Sequence, residues 1–164
     1  LSDLAKESVT NISAVVKKLT GKDIQDYDLH VQFPGTHNVD GDSASITMAT
    51  AIISAFEGVP IDQNLAMTGS LSVRGEVLPI GGVSAKIEAA VKSGIERVII
   101  PRSNLQDVLI DEKYESMVEV LPVDSLDEVL QHALVGAEEK VSLVERLANV
   151  IDTISSGADT QPSA

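Results

Sequence analysis

From Ser43 to Glu57 the chain is apolar around most of a helical wheel. Ala44, Ile46, Met48, Ala49, Ala51, Ile52, Ile53, Ala55 and Phe56 confine the polar groups to one narrow stripe of Ser43, Thr47, Thr50, Ser54 and Glu57. Such a helix is stable only when other elements cover it, so the rest of the chain must fold around it. Its buried hydroxyls then need partners. For Thr47, Thr50 and Ser54 the expected partner is the carbonyl four residues back. The stretch falls short of the ~18 consecutive apolar residues of a membrane span, and no other segment is longer.

The covering elements are legible as changes of period. Leu4, Ile12, Val15, Val16 and Leu19 share one stripe of a helix over about 3–19, with Gly21 as its stop. Tyr27 to Phe33 alternates strictly, with Tyr27, Leu29, Val31 and Phe33 on one face, which predicts a half-buried strand. A loop rich in Gly, Asn and Asp, Pro34 to Ser43, leads into the apolar helix, and Gly58 closes it. Leu71 to Leu78 reads as a hairpin turning at Arg74-Gly75. A helix over about Val83–Ser93, strands at Arg97–Ile100 and Val118–Leu121, and helices near Ser125–Leu134 and Glu138–Val150 follow. The mixture predicts an α/β (α+β) fold, a mixed sheet with packed helices, in one domain over 1–150. The small polar residues of 151–164 read as a disordered tail. Beginning on Leu1 rather than Met, the chain reads as a piece of a longer polypeptide.

Composition removes several classes of function. Lys and Arg number 12 against 25 Asp and Glu, a net charge of −13 that repels nucleic acid and anionic lipid. No cysteine is present, so a thiolate nucleophile and a disulfide framework are both excluded. With two Phe, two Tyr and no Trp there is almost nothing to stack on bases. His30, His37 and His132 lack metal-ligand spacing.

Two positions carry candidate chemistry. Ser43 opens the apolar helix within Gly41-Asp-Ser-Ala-Ser45, where free N–H groups favour an anionic oxygen; from local sequence alone an ordinary N-cap is the commoner role. Lys86 stands at the edge of the apolar stripe formed by Val83, Ile87, Ala90 and Val91. Most such lysines snorkel outward, but one turned inward loses basicity by desolvation and can serve as a base. Neither glycine-rich region is a phosphate loop: Gly35 and Gly41 are mis-spaced, with Asp42 where the lysine belongs, and Gly81-Gly82 lacks the dinucleotide pattern.

Three ordered motifs, Gly41-Asp-Ser-Ala-Ser45, Ala66-Met-Thr-Gly69 and Gly75-Glu-Val-Leu-Pro-Ile-Gly-Gly-Val-Ser-Ala-Lys86, resemble the proteolytic domain of Lon proteases. The resemblance runs from about residue 3 to 135 and takes in Val98-Ile-Ile-Pro101 and Asn104. Asp42 and Ser45 point to the archaeal, membrane-anchored branch. The fold this implies resembles the second domain of ribosomal protein S5. The implied activity is that of a serine endopeptidase with a Ser43–Lys86 dyad. The resemblance further implies that Thr68 orients the lysine amine, that backbone N–H groups at the start of the Ser43 helix hold the oxyanion, and that Asp40 and Asp42 flank the site. Asp42 reaching the Lys86 amine would give a resting state. No cofactor is implied for this domain, whereas ATP and Mg are implied for an AAA+ ATPase domain preceding it. Implied too are unfolded or damaged protein substrates, a homo-hexameric ring, no nucleic-acid partner, and a cytoplasmic domain on a membrane-anchored protein. Small-molecule kinases share the general fold but need a phosphate loop that Asp42 opposes, and a non-enzymatic adaptor predicts silent Ser43 and Lys86 substitutions.

Overall fold

Residues 3–34, 41–136, 143–146 and 148–149 are described by the computed structural model. Among the described residues, helices α1 (Asp3–Thr20), α2 (Ser45–Glu57), α3 (Val83–Lys92), α4 (Glu112–Glu115) and α5 (Leu126–Ala133) accompany two small sheets. Strands β1 (Leu65–Met67), β4 (Arg97–Pro101) and β5 (Glu119–Val123) form a parallel sheet in the order β1-β4-β5. Strands β2 (Ser70–Leu71) and β3 (Val77–Leu78) form a separate antiparallel pair, Ser70 opposite Leu78 and Leu71 opposite Val77. The architecture is the mixed α/β one that the periodicity predicts, with a parallel and an antiparallel sheet rather than a single one.

Strand β4 is central, and it separates two cores. Ile99 faces the large cluster of α1, α2 and α5, which includes Ile12, Val16, Ile46, Ile53, Leu126 and Leu130. Val98 and Ile100 face the smaller cluster that seats α3 through Val83, Ile87 and Ala90. The same alternation carries across the sheet: Leu65, Met67, Leu121 and Val123 belong to the first side, Ala66, Val118 and Val120 to the second. A strand covered on both faces reads as a continuous apolar run, which Val98-Ile-Ile100 is. Pro122 falls in β5, at the edge of the sheet, where its missing N–H leaves no ladder bond unmade.

The central helix is largely enclosed, with Ile46, Met48, Ala49, Thr50, Ile52 and Ile53 buried, and only the small side chains of Ala51 and Ala55 form an exposed strip. It starts at Ser45, later than the wheel suggests, and closes on Gly58 in the left-handed region at φ 68°. Its hydroxyls find three different partners. Thr50 bonds back to Ile46 O at 2.7 Å. Thr47 Oγ1 instead reaches Met67 O at 3.4 Å, tying α2 to β1, and Ser54 Oγ donates forward to Val59 O at 2.6 Å beyond the helix end. Two of the three expected back-bonds are therefore replaced by tertiary and capping ones.

Segment Tyr27–Phe33 is not a strand. After a 3-10 turn at Ile24–Asp26 the chain runs irregularly, with Tyr27, Leu29 and Val31 exposed. Alternation supplies a face, but a strand also needs a ladder, and no strand among the described residues pairs with it. Phe33 still packs on the large core, and the Tyr27 ring lies 4.8 Å from that of Phe56. The Leu71–Leu78 hairpin forms as expected, its turn closed by Gly75 N–H to Ser72 O at 3.0 Å with Gly75 at φ 92°. Of the expected last helix, 143–146 and 148–149 are helical, and Leu143 is buried in the large core; the Leu4 side chain and the expected disordered tail lie outside the described residues.

Candidate active site

Thr68 follows directly on the last residue of β1, so the site begins at the carboxyl end of the parallel sheet. Its N–H donates to Ile99 O at 3.1 Å, continuing the β1–β4 ladder by one residue. The chain then passes through Gly69 against the turn that precedes α2. Gly69 N–H donates to Ser43 O at 2.8 Å, and Ile46 N–H returns a bond to Gly69 O at 3.3 Å. This approach is too close for a side chain: a Cβ at Gly69 would stand 3.0 Å from both Ile46 Cδ1 and Val77 Cγ1. Glycine here sets the distance between the serine turn and the sheet.

Ser43 lies in that turn, two residues ahead of α2, and the cap position belongs to Ala44. It is not the N-cap that local sequence favours. The turn is braced from below by Ser45, whose hydroxyl donates to Asp42 O and shares a 3.1 Å hydrogen bond with the Ser8 hydroxyl of α1. Ser45 N–H also goes to Asp42 O, at 2.9 Å. The Ser45 and Ile46 N–H groups are thus already donated, which removes them as oxyanion donors.

Lys86 arrives from the other side. Helix α3 starts after Gly82 at φ 70°, a left-handed conformation that suits glycine, and its Val83, Ile87, Ala90 and Val91 are buried. A short turn joins its end to β4, so α3 runs back along the sheet and its first turn returns to the carboxyl end. Side chains on a helix lean toward its N terminus, which carries the Lys86 amine over the end of β1. Asn104, buried to 3% exposure, fixes the approach to this helix. It accepts from Ile80 N–H at 2.8 Å and donates to Ile80 O and to Asp107 Oδ2, each at 3.0 Å.

The lysine is turned inward. Its Nζ lies 2.8 Å from Ser43 Oγ and 3.2 Å from Thr68 Oγ1. Thr68 in turn donates its hydroxyl to Ser43 O at 3.2 Å, so one side chain positions the amine and holds the backbone of the serine. Burial pushes the Lys86 ammonium below its ordinary pKa, and the nearby Asp42 carboxylate opposes that shift. The Asp42 carboxylate makes no ion pair with Lys86 here. It accepts instead from the Ser70 hydroxyl at 2.6 Å. Ser43, Lys86 and Thr68 are therefore brought together, Asp42 stands beside them, and Asp40 lies outside the described residues.

Ser8 and Ser70 are not marked by the sequence as parts of the site, and Ser45, though inside the serine motif, carries no sign there of its bracing role. Ser70 is adjacent to the Ala66–Gly69 motif, and position alone would have suggested it. A separate cleft of about 680 Å³ lies at the opposite, amino end of the sheet, lined by Val91, Ile95, Arg97, Met117 and Glu119 among others.

Over residues 1–136 the sequence matches the family described as the Lon protease (S16) C-terminal proteolytic domain. It is 54% identical over 157 residues to the archaeal Lon protease of Methanothermobacter thermautotrophicus, covering 95% of this chain and 24% of that protein. Against the archaeal Lon protease of Halobacterium salinarum the identity is 56% over 152 residues, with coverages of 92% and 22%. The Lon protease of Azorhizobium caulinodans is 37% identical over 154 residues, covering 89% of this chain and 18% of that protein. The chain thus spans a quarter or less of the length of these relatives.

Proposed function

The chain belongs to the Lon protease C-terminal proteolytic domain family, and on that premise we propose that it hydrolyses peptide bonds with Ser43 as nucleophile and Lys86 as base. The observation that carries the assignment is the 2.8 Å contact between Lys86 Nζ and Ser43 Oγ, made by an amine whose basicity burial has lowered. As Ser43 Oγ bonds to the scissile carbonyl carbon, its proton passes to neutral Lys86. The resulting ammonium protonates the leaving amine as the C–N bond breaks, leaving an acyl-enzyme. Water then attacks that ester, giving a proton to Lys86, which passes it to Ser43 Oγ as the acyl C–O bond breaks. The carboxylic acid product leaves, and Ser43 and neutral Lys86 are restored. Thr68 holds the amine on the line of transfer throughout. Backbone N–H groups of the turn ahead of α2 stabilise the oxyanion, since those of Ser45 and Ile46 are committed elsewhere.

The wider reading rests on the family. The domain works as part of an ATP-dependent protease in which an AAA+ ATPase domain, using ATP with Mg, unfolds damaged proteins and delivers them to Ser43. No cofactor is assigned to this domain, and Asp40 and Asp42 support the site from its edge. The working assembly is a homo-hexameric ring with this domain in the cytoplasm and the longer polypeptide anchored to the membrane. Among the described residues no helix is long and apolar enough to cross a membrane.

The test is hydrolysis of an unfolded protein by the native chain and by Ser43→Ala. Loss of the nucleophile should lower turnover by at least about a thousandfold. Comparable turnover by the variant, after exclusion of contaminating protease, would overturn the assignment.

A further inference from the structure

We propose that Ser70 is a positioning residue of this site: its hydroxyl holds the Asp42 carboxylate away from the Lys86 amine. The proposal rests on the Ser43–Lys86 reading. Asp42 is exposed, yet it is fixed at two points. Its carbonyl takes both the N–H and the hydroxyl of Ser45, a residue itself bonded to Ser8. Its carboxylate takes Ser70 Oγ at 2.6 Å, and Ser70 is only 6% exposed at the start of β2. A surface aspartate would ordinarily rotate freely in water. This one is aimed by a buried hydroxyl on a different element.

The cation that feels the Asp42 charge, among the described residues, is the Lys86 amine, which the adjoining Ser43 touches. Among the described residues Asp42 is the carboxylate whose charge acts on Lys86. Glu88, on α3 itself, turns outward to Lys92 at 3.4 Å, and Asp107, on the segment packed against α3, is bonded by Asn104. Thr68 at the end of β1 and Ser43 ahead of α2 are uncharged. His37 and Asp40 lie outside the described residues. Without the Ser70 hydroxyl the carboxylate is released to turn toward the Lys86 ammonium, on which its charge already acts. An ion pair there would keep the base protonated and shut the site.

The experiment is an NMR titration of the Lys86 side chain, assigned with Lys86→Arg, in four otherwise native chains: wild type, Ser70→Ala, Asp42→Asn and the double variant. Peptide hydrolysis against pH is measured in parallel. Ser70→Ala should raise the Lys86 midpoint by about one unit, with about tenfold lower turnover on the acid limb that recovers at high pH. In the Asp42→Asn background the same change should leave the midpoint in place, a coupling that general loosening would not produce. Ser70→Cys, which keeps the volume but donates weakly, should shift it in the same direction by less, and it serves if the alanine variant is poorly folded. An unmoved midpoint in both Ser70 variants, or an equal shift with and without Asp42, overturns the proposal. Activity that does not depend on Ser43 overturns the dyad instead, and the titration distinguishes the two failures.

Discussion

As the proposed base Lys86 would act in its neutral form, and two influences on it have opposite signs. Enclosure at the end of β1 favours the neutral amine, and the Asp42 charge favours the ammonium, with enclosure the larger. Turnover should therefore rise with pH, about tenfold per unit while the lysine is mostly protonated, and level off before the free-lysine range near about 10.4. A log kcat profile still climbing with unit slope through that range would show that burial does not tune the base. Thr68 gives a second prediction at this scale. Thr68→Val keeps the shape but removes the bonds to Lys86 Nζ and Ser43 O, so kcat should fall by about tenfold for roughly 1.4 kcal/mol of lost positioning. An unchanged kcat would make Thr68 a packing residue. Ser43, Thr68 and Lys86 were legible because each stands in a motif whose order and spacing are specific. The Ser70–Asp42 bond was not, because one serine in a strand carries no sign of which loop will fold against it.

The site depends on how closely the turn ahead of α2 lies on the end of β1, and Gly69 sets that approach. Gly69→Ala brings a methyl against Ile46 and Val77 and should cost about 1–3 kcal/mol, as overpacked sites do. Because the Gly69 backbone bonds both Ser43 O and Ile46 N, peptide hydrolysis should fall by more than the fraction unfolded accounts for. Combining it with Ile46→Val, which removes one of the two closest methyls, should destabilise by less than the two changes summed. Strict additivity in urea unfolding would contradict the steric account. Helices α1, α2, α3 and α5 were legible at this scale because a 3.6-residue period needs only the segment itself, whereas the single turn of α4 is too short to show one. The Tyr27–Phe33 segment was misread because a strand is completed by a partner distant in sequence, and alternation cannot supply one. The Thr47 and Ser54 hydroxyls were misassigned for the same reason, since β1 and the turn beyond Gly58 are not neighbours on the helical wheel.

The two halves of the dyad come from opposite faces of the sheet. Ser43 is held by α2, which belongs to the large core, whereas Lys86 rides on α3, seated on the smaller core by Val83, Ile87 and Ala90. They meet over the end of β1, with Thr68 between them. The 2.8 Å contact thus depends on both layers being docked on the shared strand β4. The α/β class was legible in the alternation of periods, and the meeting point came from motif order. The division into two cores was not, because it follows from β4 being central, which only the strand order reveals. The most direct measurement of the dyad is covalent labelling by a serine-directed phosphonate, with the site and rate read by peptide mass. The account predicts a single adduct on Ser43, forming faster as pH rises through the lowered Lys86 ionisation and abolished in Lys86→Arg, which keeps the charge but cannot give up its proton. An adduct on another residue, or equal labelling of Ser43 in Lys86→Arg, would contradict it.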